Sequence, residues 1–287
     1  MSRALVLSGG GPVGIGWESG VVAGLAAQGV DVAGADLIVG TSAGSVVGAQ
    51  IARGRDMAEV AGRMRGRAGT PSGPVGASGE QMEELMAAFT ELFTSTEPED
   101  VKRAKVGAFA LGAETMSEEE FLPVFGHLDG AEWPPRFVCT AVDAQSGAFV
   151  VWDGTTAAPL VRAVASSCAV PGVFPPITID GRRYVDGGMR SITNADLAKG
   201  HDRVLVLSLM NPAEAVGPLS VLVAGFEREA TTLRDAGGEV ELVVPDADAA
   251  SAMGVNLMDP ANVPSAIEAG ERQGRAVADG LASFWGD

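Results

Sequence analysis

Asp36-Leu37-Ile38-Val39-Gly40-Thr41-Ser42-Ala43-Gly44-Ser45 is a short apolar run that ends in Gly-x-Ser-x-Gly and continues into small residues. Leu37 to Val39 read as a buried strand and Ser45 to Ala52 as a tightly packed helix. A serine on such a strand-to-helix turn must take a strained backbone conformation, and the flanking Gly40 and Gly44 remove the Cβ atoms that would collide there. The turn lifts the Ser42 hydroxyl clear of the sheet edge, over a helix end whose free N–H groups and dipole favour a developing oxyanion. Ser42 is therefore the candidate nucleophile. A chain with 39 glycines can produce this motif by accident, so the strand before it and the helix after it carry the reading.

On the N-terminal side, Ala4 to Leu7 reads as a strand, followed by Ser8-Gly9-Gly10-Gly11-Pro12-Val13-Gly14 and a helix from about Ile15 to Gln28. Gly9-x-Gly11-x-x-Gly14 in this setting is also a dinucleotide-binding fingerprint. That use needs an acidic residue closing the second strand, which here closes on Gly40 and delivers Ser42; Asp31 and Asp36 lie before the strand. Consecutive glycines at a helix N-terminus cradle an oxyanion as readily as a phosphate, so loop and serine turn can serve one site.

On the C-terminal side, Asp56 to Arg67 reads as a helix with a solvated face, and Ala68 to Gly79 as a connector rich in proline and glycine. From Glu80 to Thr94, Met82, Leu85, Met86, Phe89, Leu92 and Phe93 form one apolar helix face, which reads either as core packing or as a lid over an acyl chain. Glu99 to Gly112 and Ser117 to Phe125 are further helices, so residues 55 to 130 form a helical insertion. Arg136 to Val142 and Ala148 to Trp152 read as a β-hairpin, followed by a helix from Ala158 to Ser167 and a proline-stiffened loop. Ile177 to Ile179 and Arg183 to Val185 are short strands joined through Asp180-Gly181. Val204 to Leu209 and Glu241 to Val244 complete the sheet, and a final amphipathic helix spans about Ser265 to Phe284. Strands separated by helices indicate an α/β fold, a mostly parallel sheet covered on both faces.

Lys and Arg number 20 against 37 Asp and Glu, a net charge of −17, which disfavours attraction to nucleic acid or to an anionic membrane. Any lipid contact would be apolar and transient, through the Met82 to Phe93 face. Cys139 and Cys168 have no ligand spacing, and no metal site or cofactor is read from the chain. The chain enters a strand at Arg3 without a basic, long apolar leader, and no run approaches the ~18 apolar residues of a membrane span, so the expectation is a soluble cytoplasmic protein.

A serine needs a base, usually histidine. His127 sits at the end of the insertion. His201 fits the Ser, Asp, His chain order of α/β-hydrolases, but it precedes Val204 to Leu207 and so falls at the opposite end of the sheet from Ser42. Asp186 is better placed: it closes a strand, and Gly187 and Gly188 leave room beside its carboxylate.

Taken together, Gly9 to Gly14, Gly40 to Gly44 and Asp186-Gly187-Gly188 resemble, in order and spacing, the three motif blocks of patatin-like phospholipases. Ser166 to Pro176 also resembles the family's segment before its aspartate, and Asn194 falls where an asparagine is common. The resemblance covers about 1 to 55 and 136 to 210. It implies a three-layer α/β/α fold formed as one domain over 1 to 287, and a Ser42–Asp186 dyad without histidine. Gly9, Gly10, Gly11 and Ala43 would serve as oxyanion donors, with Gly14, Gly40, Gly44, Gly187 and Gly188 shaping the turns. The implied activity is hydrolysis of ester-linked fatty acyl chains. An acyltransferase or thioesterase with the same nucleophile, or a non-catalytic acyl-binding protein, are the alternatives. One position departs from the pattern: the family's Lys or Arg is Val13 here, which bears on headgroup preference more than on acyl chemistry.

Overall fold

The computed structural model describes residues 1–67, 92, 94–210 and 219–286. The proposed lid helix of 80–94 therefore lies outside the described residues except at its end, where Leu92 is buried with Val106, Ala110, Val142, Val185 and Met189.

Eight strands form one sheet: β1 (Arg3–Leu7), β2 (Leu37–Gly40), β3 (Phe137–Asp143), β4 (Phe149–Trp152), β5 (Ile177–Ile179), β6 (Arg182–Asp186), β7 (Arg203–Leu207) and β8 (Glu239–Val243). Their order is β5-β6-β3-β2-β1-β7-β8, with β4 also paired to β3. From β3 to β8 every pairing is parallel, while β4, β5 and β6 join antiparallel. The expected hairpin of β3 and β4 is present. In the hairpin of β5 and β6, Asp180 and Gly181 both take positive φ, 49° and 75°, as a two-residue turn matched to strand twist requires.

Beyond Arg3 and Arg203 at their starts, β1, β2 and β7 are apolar at successive positions because both faces are covered. Leu5, Leu7, Ile38, Phe137, Leu205 and Leu207 face one core, and Ala4, Val6, Val39, Val204 and Val206 face the other. The first face carries α1 (Gly11–Ala26), α2 (Ala43–Ala52), α3 (Met57–Arg67) and the C-terminal helix Val263–Trp285. Residues 99–128 supply α4 (Glu99–Gly112), α5 (Glu118–Phe121) and a 3-10 helix, Leu122–Leu128. Then follow α6 (Leu160–Ser167), α7 (Leu219–Asp235) and α8 (Ala247–Met253), which makes the C-terminal helix α9. Leu233 of α7 packs in the second core. Among the described residues, no helix is long and apolar enough to cross a membrane.

Helix α1 begins at Gly11, not near Ile15: Pro12 sits in its first turn, where a missing N–H costs nothing. It is buried nearly all round, without an apolar stripe, because it lies between the sheet and α9. The two helices meet glycine to backbone: a Cβ on Gly20 or Gly24 would overlap the carbonyl of Ile267 or Glu271, and one on Gly270 or Gly274 that of Trp17 or Val21. Gly20→Ala must push the helices apart and is expected to cost about 1–3 kcal/mol. Urea unfolding measures this, and an unchanged midpoint would show that the seam yields without cost.

Candidate active site

Strand register brings the two chemical groups together. Gly40 lies opposite Cys139 at the end of the parallel pair of β2 and β3, and Ser42 follows two residues further on in the turn. Ala141 is paired with Asp186, the last residue of antiparallel β6. Ser42 and Asp186 meet at the edge where β1, β2 and β7 also end, with the Ser42 hydroxyl hydrogen-bonded to the Asp186 carboxyl.

Ser42 has φ 51° and ψ −118°, a left-handed conformation that a non-glycine residue keeps only when its surroundings enforce it. Its N–H donates to Ser167 Oγ at 2.9 Å, and its carbonyl accepts from Ser45 Oγ at 2.7 Å and Cys168 Sγ at 3.2 Å. Preceding it, Thr41 Oγ1 lies 3.0 Å from Thr140 Oγ1 and accepts from Asn194 Nδ2 at 3.0 Å. Asn194, itself at φ 48°, also donates to the Ser191 carbonyl at 2.7 Å and the Gly187 carbonyl at 3.4 Å, so one buried amide joins the turns that carry Ser42 and Asp186. Gly40 and Gly44 are required by close approach, since a Cβ would overlap Ser45 and the Leu7 carbonyl respectively. Gly187 sits in the same way against Thr140, and Gly14 against Leu209 and Ala43.

Asp186 is 2% exposed and Ser42 8%. Burial pushes the Asp186 carboxyl up, opposed by hydrogen bonding from the Ser42 hydroxyl and from the Gly188 N–H at 2.7 Å, leaving it at about 7. A carboxylate of that basicity can take a serine proton near neutral pH. Burial, reinforced by the charge of Asp186, pushes the Cys168 thiol up, so it stays protonated and acts as a donor to the Ser42 backbone.

The loop corrects one expectation. The N–H of Gly9 donates to the Ile192 carbonyl at 2.9 Å, so Gly9 is not an oxyanion donor; it brackets the site, its Cα hydrogen pointing toward Ser42. Among the described residues, the N–H groups of Gly10, Gly11 and Ala43 have no protein acceptor, and Gly11 and Ala43 line the same cavity as Ser42. Gly11 has φ 59°, and a side chain there would strike Leu257 and Met258.

That cavity, of about 120 Å³, runs from Ser42 between α2 and the segment 116–125. Val46, Met116, Phe121, Phe125, Phe174 and Met258 are among its walls. Phe121 stacks on Phe174 at 4.5 Å and meets Phe125 edge-on at 5.1 Å, a stiff aromatic wall. Among the described residues, no charged side chain lines it. Val13, where the resembled family carries a cation, is fully buried.

His201 stands just before β7, at the far end of the sheet, its Nδ1 3.0 Å from the Ala198 carbonyl. His127 lies in the 3-10 helix, where its carbonyl accepts from Arg53. Of the residues that hold Ser42 and its turn in place, Ser167 was marked in the sequence only as part of the Ser166 to Pro176 segment and Asn194 only by its place after the aspartate block, while Thr140 carried no mark.

Comparison with known proteins gives matches at several levels. The Patatin-like phospholipase family model matches residues 77–199, a span that contains Asp186 and not Ser42. Lysophospholipase NTE1 of Mycosarcoma maydis is 29% identical over 192 residues, 66% of this chain and 8% of that protein, so this chain spans a small fraction of that relative's length. VipD from Legionella pneumophila aligns over 97% of this chain and 67% of its own, with a TM-score of 0.46 and 15% identity. The type III effector protein ExoU aligns over 96% of this chain and 53% of its own, with a TM-score of 0.36 and 16% identity.

The position of Asp186 on the pH scale has a consequence for stability. Its folded value near 7 lies above the ordinary 3.8, so its contribution is full at acid pH and is lost as pH rises through 7. Asp186→Asn, which never ionises, is expected to melt at a higher temperature than wild type at about pH 8 and to lose that advantage near pH 4. Equal differences at both pH values would show that Asp186 does not titrate in this way.

Proposed function

We propose, taking the patatin-like phospholipase family as the premise, that this chain is a serine lipid acyl hydrolase in which Ser42 is the nucleophile and Asp186 its base. The observation that carries the reading is the pairing of a serine at positive φ with a buried carboxyl of raised basicity, both opening onto an apolar cavity.

An ester's acyl chain enters the cavity between Phe121, Phe174 and Met258, which places its carbonyl over Ser42. Asp186 takes the hydroxyl proton as Oγ bonds to the carbonyl carbon. The negative charge that develops on the carbonyl oxygen is met by the N–H groups of Gly10, Gly11 and Ala43 at the N-termini of α1 and α2. Collapse of this intermediate expels the alcohol, which takes the proton back from Asp186. Water, deprotonated by the same carboxylate, then attacks the acyl-enzyme and frees the fatty acid and Ser42. The apolar walls leave binding to the acyl chain, and the acidic surface favours substrates presented without a strongly anionic interface, met by transient apolar contact. The free thiols Cys139 and Cys168 suit a cytoplasmic setting.

Hydrolysis of p-nitrophenyl esters of increasing chain length tests the reading. Ser42→Ala and Asp186→Ala are expected to lose at least about 10³-fold in kcat, and His201→Ala to match wild type. A wild type inert on every ester, or a dead His201→Ala, would overturn it. With Asp186 at about 7, kcat/KM is expected to rise with pH through a midpoint near 7 as the base loses its proton. A midpoint near 4 would mean that the base is a solvated carboxylate elsewhere.

A further inference from the structure

Glu18 is the one acidic residue of α1, and it is fully buried. Its Oε1 accepts the N–H of Ser8 at 2.9 Å, while Oε2 has no hydrogen-bond partner among the described residues. Burial pushes this carboxyl well above its ordinary range, opposed by the hydrogen bonding of Ser8. A carboxyl with one oxygen unpaired is a costly group to keep inside a helix otherwise made of apolar and small residues.

Its partner lies where the chain leaves the sheet. Ser8 follows β1, and its N–H is shared between the Leu207 carbonyl of β7, at 3.1 Å, and Glu18. The first acceptor would draw the chain onward beside β7; the second draws it back toward α1. The Ser8 hydroxyl extends the anchor, donating to the Gly9 carbonyl at 3.1 Å and accepting the Leu209 N–H at 3.1 Å. Leu209 in turn packs closely on both Gly10 and Gly14: a Cβ on Gly10 would overlap its side chain, and one on Gly14 would press against it. A continuous set of contacts therefore runs from the Glu18 carboxyl through Ser8 and Leu209 to the loop that presents Gly10 and Gly11.

We infer that Glu18 is a positioning residue for oxyanion stabilisation: by accepting the Ser8 N–H from inside the helix, it fixes the path of the Gly9–Gly11 loop beside Ser42. The inference rests on the hydrolase reading above. Glu18 touches no substrate and transfers no proton. What it provides is a hydrogen-bond acceptor at one point, which an amide of the same shape also provides. Misplacing the loop weakens interactions made in the transition state more than those made with the bound ester, so the loss falls on kcat rather than KM.

The test is steady-state hydrolysis of p-nitrophenyl butyrate by wild type, Glu18→Gln, Glu18→Met and Glu18→Asp, with melting temperatures for each. Glu18→Met keeps the volume and removes the acceptor; kcat is expected to fall about 10²-fold with KM changed less than about twofold. Glu18→Gln restores the acceptor and is expected within about threefold of wild type in both constants. Should Glu18→Met fail to fold, Glu18→Asp decides, because its carboxyl is one methylene too short to reach Ser8; kcat is expected to fall about tenfold at unchanged KM. Full kcat in Glu18→Met or in a folded Glu18→Asp, or a Glu18→Gln as impaired as Glu18→Met, overturns the proposal alone. A wild type inert on every ester overturns the hydrolase reading and this proposal with it.

Discussion

The backbone of Ser42 is bent to positive φ because the chain must pass from β2 into α2 with no residue to spare, and the neighbouring elements are packed to hold that one dihedral. Left to itself the strain would relax by swinging the hydroxyl away from the sheet edge. Ser167 takes the N–H, Ser45 and Cys168 take the carbonyl, and the Thr41–Thr140–Asn194 group fixes the residue before it. Each contact is ordinary in strength. Together they over-determine a conformation that none could impose alone, and all of them but Cys168, which lines the cavity, are buried. The parts involved come from widely separated stretches of chain, so the reactive geometry exists only when the whole edge is assembled.

How much of this could be read in advance follows from how local each feature is. The places of Ser42 and Asp186 were legible because Ser42 follows a strand that ends on Gly40 and Asp186 closes one before Gly187, so both turns are written in adjacent residues. The donor role of Gly9 was misread because its N–H is claimed by Ile192, a neighbour only in the folded sheet. The start of α1 was placed late because glycines and a proline argue against helix by propensity, while Pro12 in a first turn does not. Glu18 did leave a trace, a lone acid within an apolar helical stretch, but its meaning depends on Ser8 turning beneath it. The aromatic wall of Phe121, Phe125 and Phe174 was hidden for a different reason: two of these residues come from the helical insertion and one from the proline-stiffened loop, and no periodicity predicts that they meet.

The cavity and the surface follow opposite rules. Outside, carboxylates outnumber cations enough to leave a net −17. Inside, the space beside Ser42 is shaped by thioether, aliphatic and aromatic groups, and Val13 turns into the core at the place where the resembled family has a cation. Such a cavity offers a ligand apolar surface and shape rather than charge, with the N–H groups of Gly11 and Ala43 as polar points beside Ser42.

The glycine seam between α1 and α9 also sets an order in time. α1 carries the Gly10–Gly11 end of the site, yet its outer face is covered by a helix that ends at Trp285, whose indole N–H donates to the Asp31 carbonyl. During synthesis the first helix therefore emerges more than two hundred residues before its partner, apolar nearly all round and with five closely spaced glycines that favour no conformation strongly. The entropy of closing that loop is recovered only when α9 itself has left the ribosome and docked. A growing chain thus carries Ser42 long before α9 can cover α1, and the Gly10–Gly11 side of the cavity is fully supported only once residues 263–285 have docked.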